Sequence, residues 1–157
     1  MSTIEIEKFH IGQEEEIYRL IKKVYDEFVS VDYSDAGNEF FYEWIQPEKI
    51  AERQIKQINL LVALVNSKIV GMIELRENSY ISLLFVDKEY HGLGIAKRLF
   101  KESLKICIQR DESLDMFFVH ASSFSIPIYQ KLGFIATDEM QAQFGIKYLP
   151  MQMRIIK

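Results

Sequence analysis

The sequence predicts an α+β domain: a mixed, mostly antiparallel central sheet of about seven strands, flanked by helices. Three stretches predict it. Between Leu60 and Val86, three apolar segments follow one another, separated by the polar turns at 66–68 and 77–79, as antiparallel neighbours are. From Ile81 to Ile108 the chain reads as an apolar strand, a short polar link, Gly92 and Gly94, and then a long amphipathic helix. After that helix, Met116–Val119 is apolar throughout and reads as a central strand. A chain of 157 residues fits one domain, 1–157.

Taken in order, Thr3–Phe9 alternates Ile4, Ile6 and Phe9 against Glu5, Glu7 and Lys8, as a first strand does. Glu14–Val31 is helical: Ile17, Leu20, Ile21, Val24 and Phe28 recur at three and four, and Glu14, Glu15 and Glu16 sit where the helix dipole favours acids. Asp, Ser and Gly break that helix between Val31 and Asn38. Phe40–Ile45 predicts a short aromatic helix, and Pro47, tolerated in a first turn, opens another over Glu48–Ile58. Strands Leu60–Val65, Ile69–Arg76 and Tyr80–Val86 follow. The helix over Leu93–Arg110 carries Ile95, Leu99 and Ile106 beside Ala96, Phe100, Leu104 and Cys107, a stripe wide enough to lie on the sheet. Ser125–Leu132 is a short helix stopped by Gly133. Phe134–Thr137 starts a strand, Met140–Tyr148 reads mostly as loop, and Leu149–Ile156 is the last strand.

Composition excludes several classes. A formal net charge of −4 argues against a general nucleic-acid binder and leaves room for a basic acceptor. No apolar run approaches the about 18 residues of a membrane span. Met1–Glu5 has neither the basic region nor the apolar core of a signal peptide. One cysteine forbids an internal disulfide, so a cytoplasmic location is expected. Cys107, on the apolar face of its helix, reads as a buried small hydrophobe. His10, His91 and His120 form no paired spacing, and nothing reads as a metal site.

The glycine stretch is built for an anion. Glycines take positive φ and let a ligand approach the backbone. The helix start beyond them offers unpaired N–H groups and the positive end of a dipole. A pyrophosphate is the expected guest. A dinucleotide fingerprint would need a third glycine at Lys97 and an acidic ribose ligand near Val119–His120, and both are missing. The G-K-[ST] of a P-loop is absent too. Instead His91-Gly92-Leu93-Gly94-Ile95-Ala96 resembles the coenzyme A loop of the GNAT superfamily of N-acetyltransferases, Q/R-x-x-G-x-G/A. It departs at His91, where the family usually carries Gln or Arg. Downstream, Tyr129-Gln130-Lys131-Leu132-Gly133-Phe134 resembles the family's Y-x-x-L-G-F segment.

This resemblance implies a GNAT fold with its sheet splayed at the middle, and acetyl-CoA as cosubstrate with no metal. The loop from His91 through Lys97 would hold the pyrophosphate, with Lys97 and Arg98 either adding charge toward the phosphates or forming a solvated helix face. The pantetheine arm would pair with the open edge of the strand ending Leu84, Phe85 and Val86. A free N–H near Val86 would polarise the thioester oxygen, as an oxyanion hole does. Tyr129 would donate a proton to the leaving thiolate. Glu74 shares a face with Met72 and Arg76 by alternation and is the candidate base; the other reading is a surface Glu paired with Arg76 or a Lys, with water and backbone carbonyls taking the proton instead.

The acceptor side falls to the segment between the first helix and the second strand, with Met140–Tyr148 closing the other side. Asp32, Asp35, Glu39 and Glu43 interleave with Tyr33, Phe40, Phe41, Tyr42 and Trp44. An acidic rim of this kind would gather a cationic amine or polyamine; alternatively, the aromatics pack the core and the acids face water. The leading expectation is acetyl transfer to the primary amine of a small molecule by direct attack on the thioester, with no nucleic-acid or membrane partner and a homodimer allowed. The alternatives are transfer to a protein or peptide amine, which needs an open groove and which a large aromatic lid would oppose, and a non-catalytic acyl-CoA-binding module.

Overall fold

A computed structural model describes residues 3–156; the first two residues of the Met1–Glu5 stretch lie outside the described residues. The strands are β1 Ile4–Lys8, β2 Leu60–Val65, β3 Lys68–Arg76, β4 Tyr80–Val86, β5 Met116–Ala121, β6 Ile135–Ala136, β7 Gln141–Gln143 and β8 Ile146–Arg154. The helices are α1 Glu14–Phe28, α2 Asp35–Trp44, α3 Pro47–Arg53, α4 Ile95–Arg110 and α5 Ile126–Leu132. The sheet runs β1-β2-β3-β4-β5-β8-β6, and β7 pairs with β8 off this path. Every pairing is antiparallel except β4 with β5, which is the expected mixed α+β architecture. No described helix is long and apolar enough to cross a membrane.

Turn chemistry sets the antiparallel half. Asn66 and Ser67 join β2 to β3 with φ of 51° and 67°, and Glu77 and Asn78 join β3 to β4 with φ of 56° and 60°. Two left-handed residues in a row match the twist of the flanking strands. Period-two alternation then sorts the side chains into two cores. Leu61, Ala63, Ile73, Leu75 and Ile81 meet Leu99, Phe100 and Cys107 of α4 on one face. Leu60, Val62, Met72 and Leu83 meet Ile17, Leu20, Ile21 and Val24 of α1 on the other.

One irregularity prepares the site. Glu74 pairs with Leu83, but the next residue, Leu75, pairs with Ile81, so Ser82 is an extra, bulged residue on β4. β4 and β5 pair only through Tyr80 with Phe118 and Ile81 with Val119. From Ser82 onward the two strands separate, and the sheet is splayed there.

Four local expectations change. α2 begins at Asp35 rather than Phe40, because Ser34 caps it: its Oγ accepts from the Gly37 N–H at 3.0 Å. α3 stops at Arg53 rather than running to Ile58. The Gln54 side chain accepts from the Asn59 N–H at 2.8 Å and donates to Glu74, which draws the chain out of the helix. β5 is buried on one face only: Phe117, Val119 and Ala121 are in the core, whereas Phe118 and His120 are exposed. Met140–Tyr148 is not mostly loop but a hairpin, β7 and the start of β8, turning at Phe144 and Gly145 with positive φ.

Candidate active site

The splay opens into a cavity of about 830 Å³, within the usual size of a small-molecule site. Its edge is the unpaired side of β4. The Asp87 N–H donates to the Val70 carbonyl at 2.8 Å, so this antiparallel pair exchanges hydrogen bonds. Alternation makes Met72/Phe85 another such pair and leaves Leu84 and Val86 with their N–H and C=O groups directed away from β3. Both residues line the cavity. The Val86 carbonyl accepts from His91 Nε2 at 2.8 Å. The residue at the family's Gln/Arg position thus ties the glycine loop to the end of β4, and the Val86 N–H stays available.

At the same end, Gly92 and Gly94 have φ of 80° and 77°. A Cβ at either would meet nothing within 4 Å, so it is the backbone conformation that calls for glycine, and the space above the loop is open. Gly94 caps α4, and the first amide of the helix with an internal partner is Arg98, bonded to the Gly94 carbonyl. The N–H groups of Ile95, Ala96 and Lys97 precede it and are available to an anion. These features fit a pyrophosphate with an amide-rich arm beside it. Of the loop residues, His91, Gly92, Ile95 and Ala96 line the cavity, while Leu93, Gly94 and Lys97 do not. Arg98 is engaged elsewhere: its Nη1 donates to the Ile4 carbonyl at 2.9 Å.

Tyr129, on α5, lines the cavity from the α4 side of the sheet. Its ring meets Phe134 edge-on at 5.4 Å, so the stop at Gly133, which turns Phe134 back, also fixes the tyrosine. Burial pushes the phenol far above its ordinary value, with a smaller push from Tyr80. The group is therefore a neutral O–H donor at any physiological pH.

Glu74 does not share this cavity. It is 2% exposed, and it faces α3. Oε1 accepts from Arg53 Nη2 at 2.9 Å and Nε at 3.2 Å; Oε2 accepts from Arg53 Nε at 3.1 Å and Gln54 Nε2 at 2.5 Å. Neither oxygen is aimed at the gap. The side chain sits on the predicted face, but Arg53 and not Arg76 or a Lys is its partner. Its surroundings are those of a structural ion pair rather than a base.

The acceptor side is aromatic. Tyr33, Phe40, Phe41 and Trp44 reach the cavity from the α2 segment, and Phe41 stacks on Tyr25 at 3.8 Å. Opposite, the β7–β8 turn folds onto α2: the Ser34 N–H donates to the Gly145 carbonyl at 3.1 Å, and Phe40 stacks on Phe144 at 5.8 Å. A Cβ at Gly37 would collide with the Gly145 carbonyl, so the seam needs glycine there. The expected acidic rim is not present: Asp32, Asp35, Glu39 and Glu43 do not line the cavity, and Glu43 pairs with Lys49 at 3.0 Å.

At the far end, where β4 and β5 still pair, stand Arg76, Tyr80, His120 and Tyr148. Arg76, Tyr80 and His120 were not singled out for the acceptor side by sequence; Tyr148 ends the Met140–Tyr148 segment that was expected to close it. His120 stacks on Tyr148 at 4.2 Å and meets Tyr80 edge-on at 5.2 Å. Partial burial of the ring, helped by the charge of Arg76, holds the imidazole below its usual pKa and favours its neutral form. A histidine inside an otherwise apolar strand was the available signal. Among the described residues no cluster of His, Cys, Asp and Glu could hold a metal.

The family model for the acetyltransferase (GNAT) domain matches residues 29–155. The Uncharacterized N-acetyltransferase YafP of Escherichia coli K12 is 27% identical over 149 residues, covering 91% of this chain and 89% of that one. Human Cysteine-rich protein 2-binding protein is 36% identical over 74 residues, 47% of this chain but only 9% of that protein's length. The PaiA N-acetyltransferase of Thermoplasma acidophilum, solved in complex with coenzyme A, shares the fold with a TM-score of 0.78 at 21% identity, over 98% of this chain and 99% of that one.

Proposed function

The chain belongs to the acetyltransferase (GNAT) domain family, and from that premise we propose that it moves the acetyl group of acetyl-CoA to the primary amine of a small molecule by direct attack on the thioester. The observation that carries the small-molecule reading is the aromatic roof. The Phe40–Phe144 stack and the Ser34–Gly145 bond close α2 onto the β7–β8 turn, where an extended peptide would need an open groove.

The chain's own groups divide the work. The amides of Ile95, Ala96 and Lys97 receive the pyrophosphate, and the outward edge of Leu84 and Val86 pairs with the pantetheine amides. Nearer the bulge, the outward N–H of Leu84 is left to polarise the thioester carbonyl, while its carbonyl and the Val86 N–H serve the pantetheine amides. His120, its neutral form favoured, takes the proton that the amine loses. The amine nitrogen bonds to the acetyl carbon, the carbon–sulfur bond breaks, and Tyr129 passes its phenolic proton to the sulfur, to be reprotonated from solvent. Ordinary thiol and phenol pKa values are about 8.5 and 10, and the apolar surroundings raise both, so the transfer between them stays within reach. The whole chain acts as one cytoplasmic domain in this reading, in line with its single thiol, Cys107, which burial pushes up to about 11 and leaves inert.

Thiol release from acetyl-CoA, measured across a panel of small amines and short peptides with free N-termini, tests the proposal. Turnover of small amines with little or none of the peptides is expected. Turnover of peptides alone overturns the acceptor reading, and absence of turnover with every amine overturns the catalytic one.

A further inference from the structure

The structure assigns the acceptor a second functional group: we infer that the amine substrate also carries a carboxylate, bound by Arg76. The inference rests on the small-amine reading above and deepens it. Among the residues that line the cavity there is no Asp, Glu or Lys, and Arg76 is the single Arg. Among the described residues it has no carboxylate partner; the cavity's nearby arginine, Arg53, is instead neutralised by Glu74.

Arg76 is held in position. Its guanidinium lies over the Tyr80 ring at 4.4 Å, and the two residues are cross-strand partners on β3 and β4. One of its donors is shared with the Tyr80 hydroxyl, and the remaining donors of the fork are left to an oxyanion. The charge is also far from the phosphates. Tyr80 and Val86 are the two ends of β4, separated by roughly 20 Å at about 3.3 Å per residue, and the glycine loop follows Val86. The cation therefore serves whatever enters from the acceptor side.

Between Arg76 and the bulge at Ser82 the wall is Tyr80, His120 and Tyr148, apolar faces with polar tips. An amine with an apolar body and a carboxylate fits this sequence of groups. Its carboxylate meets Arg76, its body lies along the rings, and its amine comes to His120. A polyamine would place a second positive charge against Arg76.

Two measurements separate this inference from the reading beneath it. In the first, kcat/KM is compared for phenylalanine, phenylalaninamide, phenethylamine and spermidine, in the wild type and in Arg76→Gln and Arg76→Lys. A wild-type preference of about 10- to 100-fold for phenylalanine over its amide is expected. The ratio should collapse toward one in Arg76→Gln and recover in part in Arg76→Lys. In the second, calorimetry with coenzyme A present follows N-acetylphenylalanine and its amide, and needs no catalysis. The acid should bind at least about tenfold tighter than the amide, and only while Arg76 is present. Equal use and equal binding of acid and amide, or a preference that survives in Arg76→Gln, overturns the inference while leaving acetyl transfer standing. No turnover of any amine refutes acetyl transfer, and the binding comparison still decides Arg76.

Discussion

Replacing Arg53 by Met, or Glu74 by Gln, separates a structural carboxylate from a catalytic one. Glu74 is 2% exposed and receives its hydrogen bonds from Arg53 and Gln54. Arg53 also donates to the Trp44 carbonyl at 2.7 Å and lies over the Trp44 ring at 4.2 Å. One guanidinium thus fastens α2 and α3 to β3. Arg53→Met leaves a buried carboxylate with only Gln54, and breaking such a pair from one side costs about 3–5 kcal/mol. For a domain of this size each kcal/mol moves Tm by about 2–4 °C, so thermal unfolding should fall by about 6–20 °C. The double variant Arg53→Met/Glu74→Met, which removes both charges, should recover much of that loss. Glu74→Gln should lower Tm by less, because its amide still reaches Gln54, and should hold kcat within roughly twofold at temperatures where it is folded. A general base would contribute about 10²–10⁴-fold. A hundredfold loss of kcat in Glu74→Gln with Tm unmoved would refute this reasoning and return Glu74 to the chemistry.

Gly94→Val forces a β-branched residue to φ 77° without a clash, since a Cβ there meets nothing within 4 Å. At a strain of about 1–2 kcal/mol the fold should survive with its circular dichroism unchanged, while calorimetry shows acetyl-CoA binding at least about tenfold weaker; wild-type affinity would place the pyrophosphate elsewhere. His120→Gln should lower kcat/KM at neutral pH and remove the acidic limb of the pH profile. In the wild type that limb falls through a pKa below the ordinary histidine value, because burial and Arg76 disfavour the imidazolium; an unchanged profile would remove His120 from the proton path. Asp87 contributes to acid stability. Burial alone would raise its carboxyl, but the Glu89 N–H at 3.0 Å and Lys23 Nζ at 3.2 Å outweigh that and hold it below the usual value. A lowered folded pKa gives stability that is present above the unfolded pKa and lost as pH falls through the folded one. Unfolding free energy should therefore drop below about pH 4, and urea melts of Asp87→Asn should be less stable at neutral pH with a shallower acid decline; parallel curves for the two proteins would contradict this.

The parts of the fold that local chemistry decides were legible. The strands at Leu60–Val65 and Tyr80–Val86, the turn pairs between them and the stop at Gly133 follow from alternation and from residues that take positive φ. That His91, Gly92 and Tyr129 come together at one cavity was legible because their spacing resembles a known family. Long-range contacts were not. α3 ends at Arg53 because Gln54 turns to a carboxylate on β3, which no local propensity encodes. Met140–Tyr148 looked like loop, yet it pairs into a hairpin whose tip rests on α2. Met116–Val119 reads as a central strand by its apolar run, and β5 does lie inside the sheet between β4 and β8, yet the alternate residues Phe118 and His120 are exposed. The acidic residues of the α2 segment sit at the expected positions in sequence, but the aromatic stripe turns to the cavity and the carboxylates turn outward. Arg76, the cation of the acceptor end, enters the site through its cross-strand contact with Tyr80, which no local pattern in the sequence marks.

Single-turnover transfer by Tyr129→Phe tests the central claim most directly, that this cavity breaks the thioester of acetyl-CoA with a buried phenol as the acid. The substitution keeps the ring against Phe134 and removes only the donor. Mixed in excess with acetyl-CoA and a turned-over amine, and followed by rapid quench, it should acetylate about 10²–10⁴-fold more slowly than the wild type, while calorimetry finds the same dissociation constant for acetyl-CoA. A single-turnover rate equal to that of the wild type would contradict the account.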